Sequence, residues 1–301
     1  MLLKTRLVLP LLLTLCASTT SIWAQTGAKG PKDPKDKATS VPTGPLLKRS
    51  TTVHDTRRFA YGGTLTIIGP PAGSISIEGW EGREVEVTAN IEWQAPSEQD
   101  LAQLVPLNNF IVDEDANHLR ILTTGTHDKV FMRRVAKNFS KRLLGLPWKI
   151  DFRIKVPVAT DLEINAGNGP ITLSGVEGAV RINALESDTT MTLTGGNVYV
   201  TVLRGSVNLD VPSRGWRGSG AEVRLASGIL TLALAAGFSA DIDADLLRLG
   251  QIENSYADLL PREHAGSTPR SLRARAGSGG ATLRFTVGDG ILRIKERQAE
   301  H

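Results

Sequence analysis

Residues 161–184 read DLEINAGNGPITLSGVEGAVRINA. Three short runs alternate in it: Leu162/Ile164, Ile171/Leu173 and Val180/Ile182 stand against Glu163, Thr172 and Arg181. A period of two places the apolar side chains on one face of an extended strand and the polar ones on the other. Gly169 and Gly178 stand just before the second and third runs, nine residues apart, where the chain needs a bend. The same unit, Gly-x-Φ-x-Φ with Φ being Val, Ile or Leu, recurs at Gly63, Gly73, Gly196, Gly205, Gly228 and Gly290. In the second half of the chain the units open at 169, 178, 196, 205 and 228, in steps of 9, 18, 9 and 23, and a degenerate Met191-Thr192-Leu193 fills the longer gap. A longer copy is also present: GSISIEGWEGREVEVTA from Gly73 matches GPITLSGVEGAVRINA from Gly169, glycine on glycine at 73/169, 79/175 and 82/178.

Short strands at a recurring step, with no helices between them, predict an all-β fold. The form expected is a parallel β-helix or β-roll solenoid, its Val, Ile and Leu stacked into a narrow core. A β-sandwich of hairpins is the alternative, because strands every 8–12 residues suit it as well. Hairpin turns are sparse, and Asp289-Gly290 is the one clear signal.

Composition removes other classes. Gly reaches 30 of 301 residues without a triplet pattern, which excludes collagen. A 41% hydrophobic share excludes a wholly disordered chain. The lone Cys16 excludes a disulfide scaffold and any zinc site built on several thiolates.

Taken as an ordered set, GSISIEGWEG (Gly73–Gly82), the 161–184 stretch, VRLASGILTLAL (Val223–Leu234) and GSGGATLRFTVGDGILRI (Gly277–Ile294) resemble the bacterial "putative adhesin" family of unknown function. The resemblance runs over most of residues 60–295. It implies a secreted or envelope-associated β-helical domain, and it transfers no catalytic residue.

Lys4 and Arg6 precede an apolar run, Leu7–Cys16, and a small-residue exit near Ala24, the pattern of a secretory signal peptide over 1–24. Leu13-Thr14-Leu15 fits lipid attachment at Cys16 poorly, so cleavage after Ala24 and export to the periplasm, outer envelope or exterior are expected. Residues 25–50, rich in Lys and Pro, read as a disordered basic linker. The signal carries +2 and the linker +4, so residues 51–301, the expected β-helical domain, carry −2. The sequence pI of about 9.3 therefore belongs to the leader and tether, and nucleic acid is not an expected partner.

One insert, about 96–150, interrupts the repeat. Ser97–Val105 predicts a short helix capped by Ser97, and Asn117–Thr123 a strand. Residues 128–149, DKVFMRRVAKNFSKRLLGLPWK, read as an amphipathic basic helix with Phe131, Val135 and Leu143 on one stripe. Arg133, Arg134, Lys137, Lys141 and Trp148 are candidate contacts for an anionic membrane surface or a partner, and a flap over a sheet edge is the structural alternative. Trp216, between Arg214 and Arg217, either stacks on a ligand or plugs a gap.

Catalytic chemistry is scarce. His54, His118, His127, His264 and His301 lack metal-ligand spacing. Asp241, Asp243 and Asp245 alternate along one strand and share a face about 7 Å apart. They could attract calcium or a basic partner, or stand solvated. Gly277-Ser278-Gly279-Gly280 opens a strand and reads as a turn. No cofactor or metal is expected. The function expected is a non-enzymatic, adhesin-like binding or structural module, displayed on its tether towards an envelope protein, surface protein or glycan. A polysaccharide-active enzyme and a membrane-surface protein acting through 128–149 are the alternatives.

Overall fold

The computed structural model describes residues 45–135, 139–262 and 267–298. The signal segment and residues 25–44 of the linker lie outside them, as do Lys137, His264 and His301. The linker's last residues are described: a strand, β1 (Leu47–Arg58), begins inside the segment read as tether.

The described chain is all-β apart from two short helices. After β1 come β2 (Thr64–Ile68), β3 (Ile75–Trp80) and β4 (Glu84–Ala95). The insert carries α1 (Glu98–Leu104), the strands β5 (Asn109–Asp115) and β6 (His118–Thr124), and α2 (Lys129–Val135). The repeat region follows with β7 (Trp148–Pro157), β8 (Asp161–Asn168), β9 (Ile171–Ser174), β10 (Val180–Thr192), β11 (Gly195–Val211) and β12 (Arg217–Leu234). Then come β13 (Ala240–Leu246), β14 (Gly250–Asn254), β15 (Leu259–Pro261), β16 (Ser267–Thr268), β17 (Ser271–Ala276) and β18 (Thr282–Glu296).

Hydrogen bonding joins these strands into two parallel ladders. The first runs β6–β2–β8–β10–β11–β12–β18–β13 and the second β7–β3–β9–β10–β11–β12–β18–β14. The long strands β10, β11, β12 and β18 belong to both: the first half of each lies in the first ladder, the second half in the other. A nine-residue step therefore moves the chain from one ladder to the other, and an eighteen-residue step returns it to the same column. Leu162, Val180 and Val198 stack in this way in the first ladder, and Ile171, Thr189 and Val207 in the second.

Both ladders turn their aliphatic side chains into one core, with Leu162, Val180, Val198, Ile171 and Val207 at 0–1% exposure. Each such side chain contributes about 1.5–3 kcal/mol by leaving water. Thr189 is the polar exception in its column, and its hydroxyl is satisfied by that of Ser187 at 3.0 Å.

Antiparallel strands flank the parallel ladders. β5 pairs with β6, and β17 with β13, beyond the first ladder; β4 pairs with β7, and β1 with β4, beyond the second. The internal copy is thus used in two ways. Gly73 stacks on Gly169 and Gly79 on Gly175. The copies then part, for β10 continues parallel on β8 while β4 runs antiparallel to β7. Asp289-Gly290 is no hairpin turn. It lies inside β18 at the passage between ladders, where Gly290 pairs with Gly228.

In the insert, Ser97 caps α1 as its sequence implies, its hydroxyl accepting from the Asp100 N–H at 3.2 Å. The expected long basic helix is not seen among the described residues. Helix α2 is described over Lys129–Val135, and from Phe139 onward the described residues of the insert form only one turn of 3-10 helix, Lys141–Leu143. Val135 is 54% exposed while Met132 and Leu143 are buried, so Phe131, Val135 and Leu143 do not form one inward stripe. A strand absent from the sequence reading, β5, hairpins onto β6.

Candidate functional site

The residues singled out from the sequence fall into two groups. Arg133, Arg134 and Lys141 are exposed, alongside the exposed apolar side chains of Val130, Val135 and Leu144. Trp148 and Trp216 are both buried, at 7% and 8% exposure, and present little of their rings to a partner. Trp148 lies opposite Trp93 in the β4–β7 register. The Trp216 indole N–H donates to the Gly196 carbonyl at 3.1 Å. Trp216 sits in the longer connection that stretches the step from Val198 to its partner Ala221 to 23 residues, and its ring is buried. Its flanking Arg217 points instead to Glu177 at 2.5 Å and to the Thr194 hydroxyl at 2.7 Å.

The insert is tied down by a guanidinium. Arg142 donates to both carboxylate oxygens of Asp100, at 3.0 and 2.5 Å, and Asp100 is only 3% exposed. The Arg142 hydrogen bond holds the Asp100 carboxyl below its ordinary value against the opposing effect of burial.

The acidic ladder binds its own chain. Asp241 pairs with Arg275 at 2.8 Å and Arg262 at 3.4 Å; Asp243 meets Arg262, Arg273 and Arg284; Asp245 pairs with Arg273 at 2.8 Å. Among the described residues no group of carboxylates, His or Cys is arranged to hold a metal ion. The arginines come from β17, β18 and the 262 region, too far along the chain for spacing to reveal them.

These pairs belong to a longer row on the outer face of the first ladder. Across successive strands the register runs Arg120, Thr66, Glu163, Arg181, Tyr199, Glu222, Arg284, Asp243, Arg273. Opposite charges alternate at the strand spacing of about 4.8 Å. Tyr199, 41% exposed, separates Arg181 from Glu222 and takes the Arg181 guanidinium over its ring at 5.3 Å from the centroid.

Hollows open on both sides of Tyr199. On the β12 side lies a space of about 270 Å³, and towards β8 a smaller one of about 150 Å³; Asn197 and Tyr199 line both. A larger hollow of about 740 Å³ lies over the second ladder between Thr52, Ser74, Asn90 and Arg153. Its carboxylate, Asp151, is already engaged by Ser74 through N–H and hydroxyl, each at 2.9 Å, and by Lys149 at 2.8 Å.

No family model and no curated protein matches the chain. Among solved structures it is similar to one described as a putative cell adhesion protein from Clostridium sporogenes, at 13% identity over 82% of this chain and 100% of that one, with a TM-score of 0.43. A putative adhesin from Bacteroides fragilis matches at 10% identity over 82% and 97%, with a TM-score of 0.33. A putative lipid binding protein from Parabacteroides distasonis matches at 10% over 84% and 98%, with a TM-score of 0.24. At these values the likeness is distant and assigns the chain to no family.

Proposed function

We propose that this chain is an exported, non-enzymatic binding module of the cell envelope or surface, adhesin-like in action. Its two parallel ladders serve as the faces of a β-roll whose repeated coils form a rigid platform. The observation that carries the reading is the outer row of the first ladder. Its charges are largely neutralised by neighbours in the sheet, as at Asp243, and one part-exposed aromatic, Tyr199, borders an open groove with Arg181 over one side of its ring. Groups so paired are positioned and costly to move, as a recognition surface requires, since rigidity lowers the ordering cost of binding. Export follows the N-terminal pattern of charge, apolar run and small-residue exit, and no helix among the described residues is long and apolar enough to cross a membrane.

The test is to incubate the purified chain with envelope preparations and soluble polysaccharides, following both retention and release of reducing ends. Retention without release is expected. Chain cleavage at enzymatic rates would make this a polysaccharide-active enzyme instead.

A second reading rests on the insert. Lys129, Arg133, Arg134 and Lys141 share this segment with the exposed Val130, Val135 and Leu144, a mixture suited to an anionic bilayer surface. Charge reversal at Arg133, Arg134, Lys137 and Lys141 should then abolish binding to anionic liposomes. Unchanged binding would remove this reading.

A further inference from the structure

We infer that the groove beside Tyr199 is a binding site for a ring of a neutral oligosaccharide. The inference rests on the binding-module reading and names the ligand class. Among the described residues, Tyr199 is the one Phe, Tyr or Trp on the outer rows of the first ladder. Arg181 covers one side of its ring. On the β12 side the 270 Å³ hollow is floored by backbone at Gly220, where a Cβ would stand 2.3 Å from the Thr282 carbonyl oxygen. Asn197, Ser219, Glu222 and Arg284 supply amide, hydroxyl, carboxylate and guanidinium groups around it. The smaller hollow, with Asp161, Glu163 and Arg181, continues the groove across the strands.

The chemistry selects the ligand. The backbone donors and acceptors here are consumed by the β10–β11–β12–β18 ladder, so a peptide finds no strand edge to extend. Asp161, Glu163 and Glu222 face Arg181 and Arg284, and Glu222 is also paired with Arg224, so acids and guanidinium groups balance and the groove has no excess positive charge to draw phosphate backbones or polyanionic glycans. Few apolar side chains line the space, which disfavours a lipid tail. A pyranose offers an apolar C–H face for the tyrosine ring and a rim of hydroxyls for the amide, carboxylate and guanidinium. Each hollow falls below the ~300–1,000 Å³ of drug-sized sites, which suits single rings of a longer chain.

The full chain would be titrated calorimetrically with cellohexaose, maltohexaose, xylohexaose and chitohexaose, and with polygalacturonate and a mixed peptide library as contrasts. At least one neutral hexasaccharide should bind. Tyr199→Ala should weaken it about tenfold or more, Tyr199→Phe should stay within about threefold, and Glu222→Gln should weaken it by an intermediate factor. Far-ultraviolet circular dichroism and melting would confirm that each variant is folded, and added salt should change affinity little. Failure of all four neutral sugars to bind overturns the inference. So does unchanged affinity in folded Tyr199→Ala, or binding confined to polygalacturonate or peptide. If the wild-type chain is retained by envelope material and Tyr199→Ala is retained equally, this site fails while the binding-module reading stands. If the wild-type chain is not retained at all, that broader reading fails.

Discussion

A Cβ placed on Gly228 would stand 1.8 Å from the carbonyl oxygen of Gly205. The two glycines pair in register where β11 and β12 pass from the first ladder to the second, and Gly228 pairs onward with Gly290. Both have positive φ, 127° and 141°. The passage is therefore closed to side chains twice over, by backbone conformation and by the neighbouring strand.

Gly228→Ala should thus destabilise the fold by at least about 2 kcal/mol, beyond the ~1 kcal/mol scale of ordinary glycine effects. Gly145→Ala, at a position with no atom within 4 Å of the added methyl and no positive φ, should stay within about 0.5 kcal/mol of the parent. Urea unfolding of the two variants checks the contrast, and equal losses would refute the stacked-glycine account.

Trp216→Ala removes a buried ring and its hydrogen bond to Gly196 and should cost about 3–5 kcal/mol. Retained stability in this variant would mean that the ring is not packed into the turn. Thermal and denaturant unfolding would read the loss directly.

Arg142→Ala strips the buried Asp100 carboxylate of its guanidinium and should cost about 1–3 kcal/mol at neutral pH. Because the folded carboxyl is held below the ordinary aspartate value, the pair's contribution is complete above the ordinary carboxylate range. It fades as pH falls through the lower, folded value. The difference between parent and variant should therefore shrink on acidification, and a pH-independent difference would contradict the pairing.

Asp243→Ala leaves Arg262, Arg273 and Arg284 converging without their shared carboxylate. A loss of about 1–2 kcal/mol is expected, partly relieved by salt, which screens the remaining cations. Denaturation at low and at high ionic strength measures both effects.

Much of the local structure was legible along the chain. Ser97 announced its helix by side-chain chemistry, and the alternation at 162–164, 171–173 and 180–182 announced buried faces, because both signals depend only on neighbouring residues. The strand β5 escaped notice because Ile111 and Asp113 are both solvent-facing there, which leaves a weak pattern. Of the candidate contacts, Arg133, Arg134 and Lys141 are exposed, while Trp148 and Trp216 are buried. A tryptophan's surroundings depend on how much space the turn beside it leaves, and no local pattern records that.

By itself the sequence determined that this protein is built of short glycine-opened strands with one apolar face, since alternation and glycine placement act within a few residues. Only the tertiary structure decided that nine residues switch ladders and eighteen return to a column. It alone decided that the second copy of the repeat continues parallel while the first ends in an antiparallel strand. Alternation is the same for either direction of pairing, so direction is settled by how the connecting segments return each strand to the sheet, a crossover giving parallel and a direct reversal antiparallel pairing. The same holds for the charges. Asp241, Asp243 and Asp245 share a face by their spacing alone, but their partners arrive from 262, 273, 275 and 284, and only folding brings those arginines alongside.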